Sequence, residues 1–265
     1  MSTIALPDSS LKVTQRRVVA SEWIKFWSLR STVITLAVSV LVFIGIGLIA
    51  ASQLGAGGGQ GVGPSATDPV GASLAGSGLA QLAFGVLGVL FMAGEYSTGM
   101  IRSSLAAVPK RLPVLWGKIA VFSAVAFVVA LAAAAIAFTG GQAIAGDAGA
   151  SWSDAGVARA VIGSAFVVTG SGVLGLGLGA LLRSTPAAIS TLFGVMFLLS
   201  GIARLLLPES WSDVLQYLPS NAADSITAVT TRAGSLGPAA GLIVFVGYLV
   251  AVVGAAGWRL RHSDA

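Results

Sequence analysis

The chain has 265 residues, of which 55% are hydrophobic and 9% charged, with no cysteine and a formal charge of +5. Soluble globular chains carry about 25% charged residues. This deficit, the mean hydropathy of +0.91 and the long apolar runs exclude a soluble domain and point to a polytopic membrane protein, while the lack of cysteine excludes a disulfide framework and a thiolate metal site.

The sequence pI of about 10.1 does not speak for nucleic acid, because the basic residues flank apolar runs, where anionic headgroups account for them. Residues 1–11 read as a disordered tail. The first apolar run begins only after Arg30 and no processing site follows it, so a cleavable signal peptide is not expected. From 13 to 30 the pattern predicts an amphipathic helix in the membrane interface. Val19, Ala20, Trp23, Phe26 and Trp27 share one arc, and Thr14, Arg17, Ser21, Lys25 and Ser28 the opposite one.

Six transmembrane spans are expected, at 31–51, 75–94, 115–139, 157–182, 186–207 and 238–257. The loop 52–73 is rich in Gly, Ser and Pro, has no basic residue and reads as flexible and non-cytoplasmic, with its role open. Its glycines do not form a phosphate loop, since no Gly-Lys-Ser/Thr follows them; Gly117-Lys118 is followed by Ile119. In the fourth span GSGVLG, from Gly170 to Gly175, formally matches a dinucleotide fingerprint but lies inside one apolar helix, without the strand that the fingerprint needs. Gly172, Gly175 and Gly179 instead predict a small-residue face for close helix packing, within the subunit or between subunits. The segment 208–237 reads as two short helices on or dipping into the outer interface, anchored by Trp211 and Tyr217, or as an ordinary outer loop.

The longest polar interruption on the cytoplasmic side is Glu95 to Lys118. Ser97 and Thr98 suit a helix N-cap. Met100, Ile101, Leu105 and Val108 then fall on one side of a short helix over 97–109, with Arg102 on the other, and Pro109 stops it. This is either a basic loop or a docking element for a cytoplasmic partner. With both termini inside, the cytoplasmic side holds Lys12, Arg16, Arg17, Lys25, Arg30, Arg102, Lys110, Arg111, Lys118, Arg183, Arg259 and Arg261, and the outer side only Arg159, Arg204 and Arg232. That asymmetry sets the expected orientation.

The chemistry available is narrow. The single histidine, His262, is in the tail, so an intramembrane hydrolase is not expected, and no ligand cluster suggests a metal. All ten acidic residues are expected in loops or at span ends, with Glu95 nearest to burial. A coupled transporter usually carries a carboxylate deep in the bilayer. No catalytic, cofactor or metal site is therefore expected on this chain, and any energy source is expected on a partner.

Four stretches carry a resemblance. They are SEWIKFWSLRST running into the first span, EYSTGMIRSSLAAVPKR after the second, six spans with both ends inside, and LPSNAADSIT before the last span. In these the chain resembles the type-2 ABC exporter permeases, and Glu95, Gly99, Arg102, Leu105, Pro109 and Arg111 match a pattern common in bacterial members. The resemblance implies an all-α integral membrane protein of the plasma membrane whose 97–109 segment is a coupling helix. It would dock through Met100, Ile101, Arg102, Leu105, Val108 and Arg111 onto a separate ATPase that binds ATP and Mg. A second permease subunit, identical or related, would complete the pathway. Within this reading Glu95 braces the bend before the coupling helix by pairing with Arg102 or Lys118, and Arg204 either snorkels to the outer headgroups or gates the outer mouth. The alternatives are a membrane scaffold or signalling subunit that moves nothing, and a secondary transporter.

Overall fold

The computed structural model describes residues 14–55, 68–100, 112–208, 211–231 and 234–262. Among them there is no strand, and six helices are long and apolar enough to cross a membrane. The chain is thus a multi-pass, all-helical membrane protein. Helix α1 is Gln15–Ser28, and after Leu29 in an extended conformation α2 runs Arg30–Gly55. A short α3, Pro69–Ser73, precedes α4, Ser77–Ser97. Next come α5, Leu112–Ala145, and α6, Val157–Leu182. Helix α7 spans Thr185–Leu206 and contains a π turn at Gly194–Leu198. Helices α8, Ser212–Leu215, and α9, Pro219–Thr227, lead to the last, α10, Pro238–His262.

Local chemistry explains the helix ends. Asp68 caps α3 by accepting from the Val70 N–H at 3.0 Å, and Pro69 sits in the first turn. Both features favour a helix start, so helix extends into both ends of the glycine-rich stretch. Ser97 and Thr98, expected as helix N-caps, stand at the close of α4, and the helix they would start lies, beyond Met100, outside the described residues. Their hydroxyls donate to the Gly94 carbonyl at 2.9 Å, and Gly99 follows at φ +72. A glycine in the left-handed region just past a C-cap terminates a helix at no steric cost. Arg183 ends α6 in the same region, at φ 54, its N–H bonded to the Gly179 carbonyl.

Helix α6 is the centre of the bundle and is largely buried. Its packing against α4 and α5 depends on glycine. A methyl on Gly88 would overlap the Gly172 carbonyl oxygen, one on Gly175 the Gly85 carbonyl oxygen, and one on Gly172 the Phe122 ring. A Cβ on Gly179 would stand 3.2 Å from the Val89 carbonyl oxygen. All three glycines of the small-residue face therefore lie at contacts within the chain. In a bilayer, burial from lipid offers little net gain, and such close backbone approach supplies the attraction.

Helices α2, α7 and α10 expose apolar side chains such as Ile34, Leu41, Ile202, Leu205, Ile243 and Val250. The ends of the bundle differ in charge. One gathers α1, the end of α4, the start of α5, the end of α6 and the end of α10, where Gln15 donates to the Pro113 carbonyl and Arg259 to that of Leu181. The other holds α3, α8 and α9. Here Gln142 of α5 bonds the Pro69 carbonyl and Ser73 of α3, and accepts from the Ala150 N–H.

Gly88→Ala should lower stability by about 1 to 3 kcal/mol, the usual cost of overpacking. Gly201→Ala, where nothing lies within 4 Å, should leave it unchanged or raise it by up to about 1 kcal/mol. Thermal loss of helical signal in detergent reads both.

Candidate functional site

Glu95 is the last acidic residue of α4, and Lys118 lies in the second turn of α5. The backbone between them leaves and re-enters the same end of the bundle. The Lys118 ammonium is 2.8 Å from Glu95 Oε1 and 2.8 Å from Glu22 Oε2 of α1. Lys25, one turn after Glu22, reaches Glu22 Oε1 at 2.8 Å and Glu95 Oε1 at 3.1 Å. Two carboxylates and two ammonium groups thus alternate in one network across three helices. Lys118 also donates to the Phe91 carbonyl at 3.3 Å, and its ammonium lies 4.4 Å from the Phe91 ring centroid.

The burial is extreme for charged groups. Lys118 is 0% exposed, Glu22 1% and Glu95 8%. Unpaired, such charges would be prohibitive; paired and hydrogen-bonded, they can persist. Opposite signs balance within the network, with the less buried Lys25 offsetting the second carboxylate. Phe26 of α1 seals one side, with its ring 5.3 Å from that of Phe91 and 6.4 Å from that of Phe122. Small residues admit α1: a Cβ on Gly117 would stand 3.1 Å from Val18.

Lys25 is the solvent-facing member. Burial works against its charge, but hydrogen bonds and attraction from Glu22 and then Glu95 outweigh this and hold its pKa above the ordinary lysine value. A raised lysine pKa contributes stability that is fully present below the ordinary value of about 10.4 and is lost as pH rises through the raised one. Across neutral pH the network is therefore insensitive to titration of Lys25.

The other side of the α4 terminus is also held. Arg183 lies over the Tyr96 ring at 5.5 Å. Successive residues of α4, Glu95 and Tyr96, thus tie it to α1 and α5 on one side and to the α6–α7 turn on the other.

Several expectations change against this geometry. Glu95 is joined to Lys118, whereas Arg102 lies outside the described residues, as do Ile101, Leu105, Val108 and Arg111. Of the expected docking set only Met100 is described, and it is half-exposed. Glu95 is not the most buried acid. Glu22 is, because the face of α1 bearing Val18, Glu22 and Phe26 turns into the protein. The expected apolar arc of α1 is accordingly split, with Phe26 buried while Trp23 and Trp27 remain exposed. Glu22 was missed because its i, i+3 neighbour Lys25 makes it look like half of a surface pair. The one available signal was its place between Val18 and Phe26 at helical spacing. At the far end, Arg204 donates to Asn221 Oδ1 at 3.0 Å.

Comparison with protein-family models and with curated proteins finds no match.

Lys118→Met would leave two buried carboxylates facing each other and should cost about 3 to 5 kcal/mol, as breaking a buried pair does. Adding Glu22→Gln to Lys118→Met should recover part of that loss. Thermal unfolding of the two variants and wild type in the same detergent measures it. Equal stabilities for wild type and Lys118→Met would contradict the network.

Proposed function

We propose that the chain is the transmembrane permease subunit of an ATP-driven exporter of the plasma membrane, working with a separate cytoplasmic ATPase that carries ATP and Mg. The observation that supports this reading best is the position of the charge network. The 98–111 connection departs beside Glu95 and returns just before Lys118, and these residues are bound to each other and to α1. A force applied to that connection cannot move the end of α4 without also loading α5 and α1. That is the mechanical requirement of a coupling element, which is the role assigned here to 97–109.

The distribution of charge supports placing this end in the cytoplasm. Arg16, Arg17, Lys25, Arg30, Lys118, Arg183, Arg259 and Arg261 gather there, against Arg159 and Arg204 among the described residues of the far end. Both termini are then cytoplasmic, and α1 lies along the inner interface with Trp23 and Trp27 toward the headgroups. In this arrangement Glu95 and Lys118 brace the bend, and Met100, Ile101, Leu105 and Val108 fill a groove on the ATPase, as an amphipathic helix does. Arg102 and Arg111 pair with acids at its rim. A second permease subunit, identical or related, completes the pathway, and Arg204 stands at the outer mouth.

Leu105→Asp places a charge in the docking surface without touching a span. It should abolish co-purification of the ATPase and ATP-dependent transport while membrane insertion stays normal. Equal ATPase recovery and transport in wild type and variant would refute the docking role.

A further inference from the structure

Only Leu29, in an extended conformation, separates α1 from α2. A pocket of about 310 Å³ opens between this elbow and the last turns of α4. That volume is at the lower end of the range for small-molecule sites. One wall is apolar and is made by Leu87, Leu90 and Phe91 of α4. From Leu87 to Gly94 it runs about 10 Å along that helix. The facing wall carries the hydroxyls of Ser28, Ser31, Thr32 and Thr35. Leu29 and Leu90 both line the pocket and are exposed, so its rim continues into the apolar exterior of the bundle.

Three observations point to an anion at the hydroxyl wall. First, Thr32 is 7% exposed, lines the pocket, and its hydroxyl has no hydrogen-bond partner in the protein. Buried hydroxyls are normally satisfied. In this chain Thr169 and Ser171 do so by donating to the carbonyls of Ala165 and Val167, four residues back. Second, no acid stands in the first turn of α2, and the N–H groups of Arg30 and Ser31 have no acceptor. Such unpaired amides at a helix start favour an anion. Third, Arg30, between the lining residues Leu29 and Ser31, is exposed and forms no ion pair among the described residues. Glu95 and Lys25 also border the pocket, but each is engaged in the charge network, and neither is needed to hold a ligand.

We propose that this pocket holds one anionic phospholipid of the surrounding leaflet. Its phosphate accepts from the Thr32 hydroxyl and the free amides at the start of α2, with the Arg30 guanidinium beside it. One acyl chain lies along Leu87, Leu90 and Phe91. A pocket of 310 Å³ takes the phosphate and the first part of a chain, and the remainder leaves over the exposed Leu29 and Leu90. A free phosphate would use the hydroxyl wall alone and leave the apolar wall without an occupant, which is why a lipid fits better. The proposal stands apart from the exporter reading, because lipid retention is measured directly and without an ATPase.

The test uses full-length protein in nanodiscs of equal parts dioleoylphosphatidylglycerol and dioleoylphosphatidylcholine, with retained lipid counted by native mass spectrometry. Phosphatidylcholine has the same phosphate and chains, but its trimethylammonium would face Arg30. One phosphatidylglycerol should be retained about tenfold over phosphatidylcholine, roughly the effect of one charge-assisted hydrogen bond. Glycerol phosphate, without chains, and dioleoylglycerol, without phosphate, titrated onto delipidated protein should each bind more weakly than the whole lipid. Arg30→Gln, which alters only an exposed side chain, should lose the preference. Thr32→Val keeps the volume and every charge and should weaken retention about fivefold, as losing a neutral hydrogen bond does. A methyl on Gly94 meets nothing within 4 Å, so Gly94→Leu should fill the pocket and expel the lipid. Selective retention that all three variants weaken supports the site. Unchanged retention in any of the three, equal retention of the two lipids, or glycerol phosphate binding as tightly as the lipid would overturn it.

Discussion

Lys118 has no exposed surface and yet carries an ammonium group. Everything at that end of the bundle follows from the need to compensate it. One carboxylate would neutralise the lysine but leave its other donors short, and two carboxylates alone would bury a net negative charge. The arrangement found uses Glu22 and Glu95 together and balances them with Lys25 at the rim. Because the two acids come from α1 and α4 and the central lysine from α5, satisfying one side chain joins three helices. Such networks often add little net stability compared with apolar packing, but breaking one member is costly. Their effect is to hold the helices in one relative placement.

The rest of the fold divides the labour. Around α6 the bundle is held by glycine-permitted backbone contact, which is short-ranged and unforgiving of added atoms. At the end bearing the network it is held by charge, reinforced on the opposite side of α4 by Arg183 over Tyr96. A core fixed by steric contact and an end fixed by ion pairs respond differently to force. The former resists any shift, whereas the latter holds to a threshold and then exchanges partners. That combination suits the proposed role of this end as the one on which an ATPase acts.

Much of this was legible from residue order. Long apolar runs gave the six spanning helices because nothing else buries so many consecutive apolar residues. Glycines spaced along the fourth run marked the face of α6 that meets α4. Glu95 and Lys118 stood out because charges beside apolar runs need partners. Glu22 was not legible. On the helical wheel of α1 it is a lone acid with a lysine one turn away, and only the docking of α1 against α5 turns that surface pair inward. The reach of α4 was underestimated for a related reason: it runs to Ser97, past the expected end near Gly94, because Ser97 and Thr98 can close one helix as readily as they start another, and Gly99 at positive φ ends it there. Arg204 was half visible: the arginine was noticed, but its partner Asn221 comes from a separate helix placed by tertiary contacts.

The central claim is that the buried charges lock α1, α4 and α5 into one body. The chain has no native cysteine, so spin labels can be placed cleanly at Ser28→Cys on α1 and Ala124→Cys on α5, with Leu79→Cys and Ile162→Cys as a reference pair across α4 and α6. Pulsed electron paramagnetic resonance should give one narrow α1–α5 distance in the otherwise native chain. In Lys118→Met that distribution should broaden while the reference pair stays narrow. An α1–α5 distribution equally narrow with and without the Lys118 charge would contradict the claim.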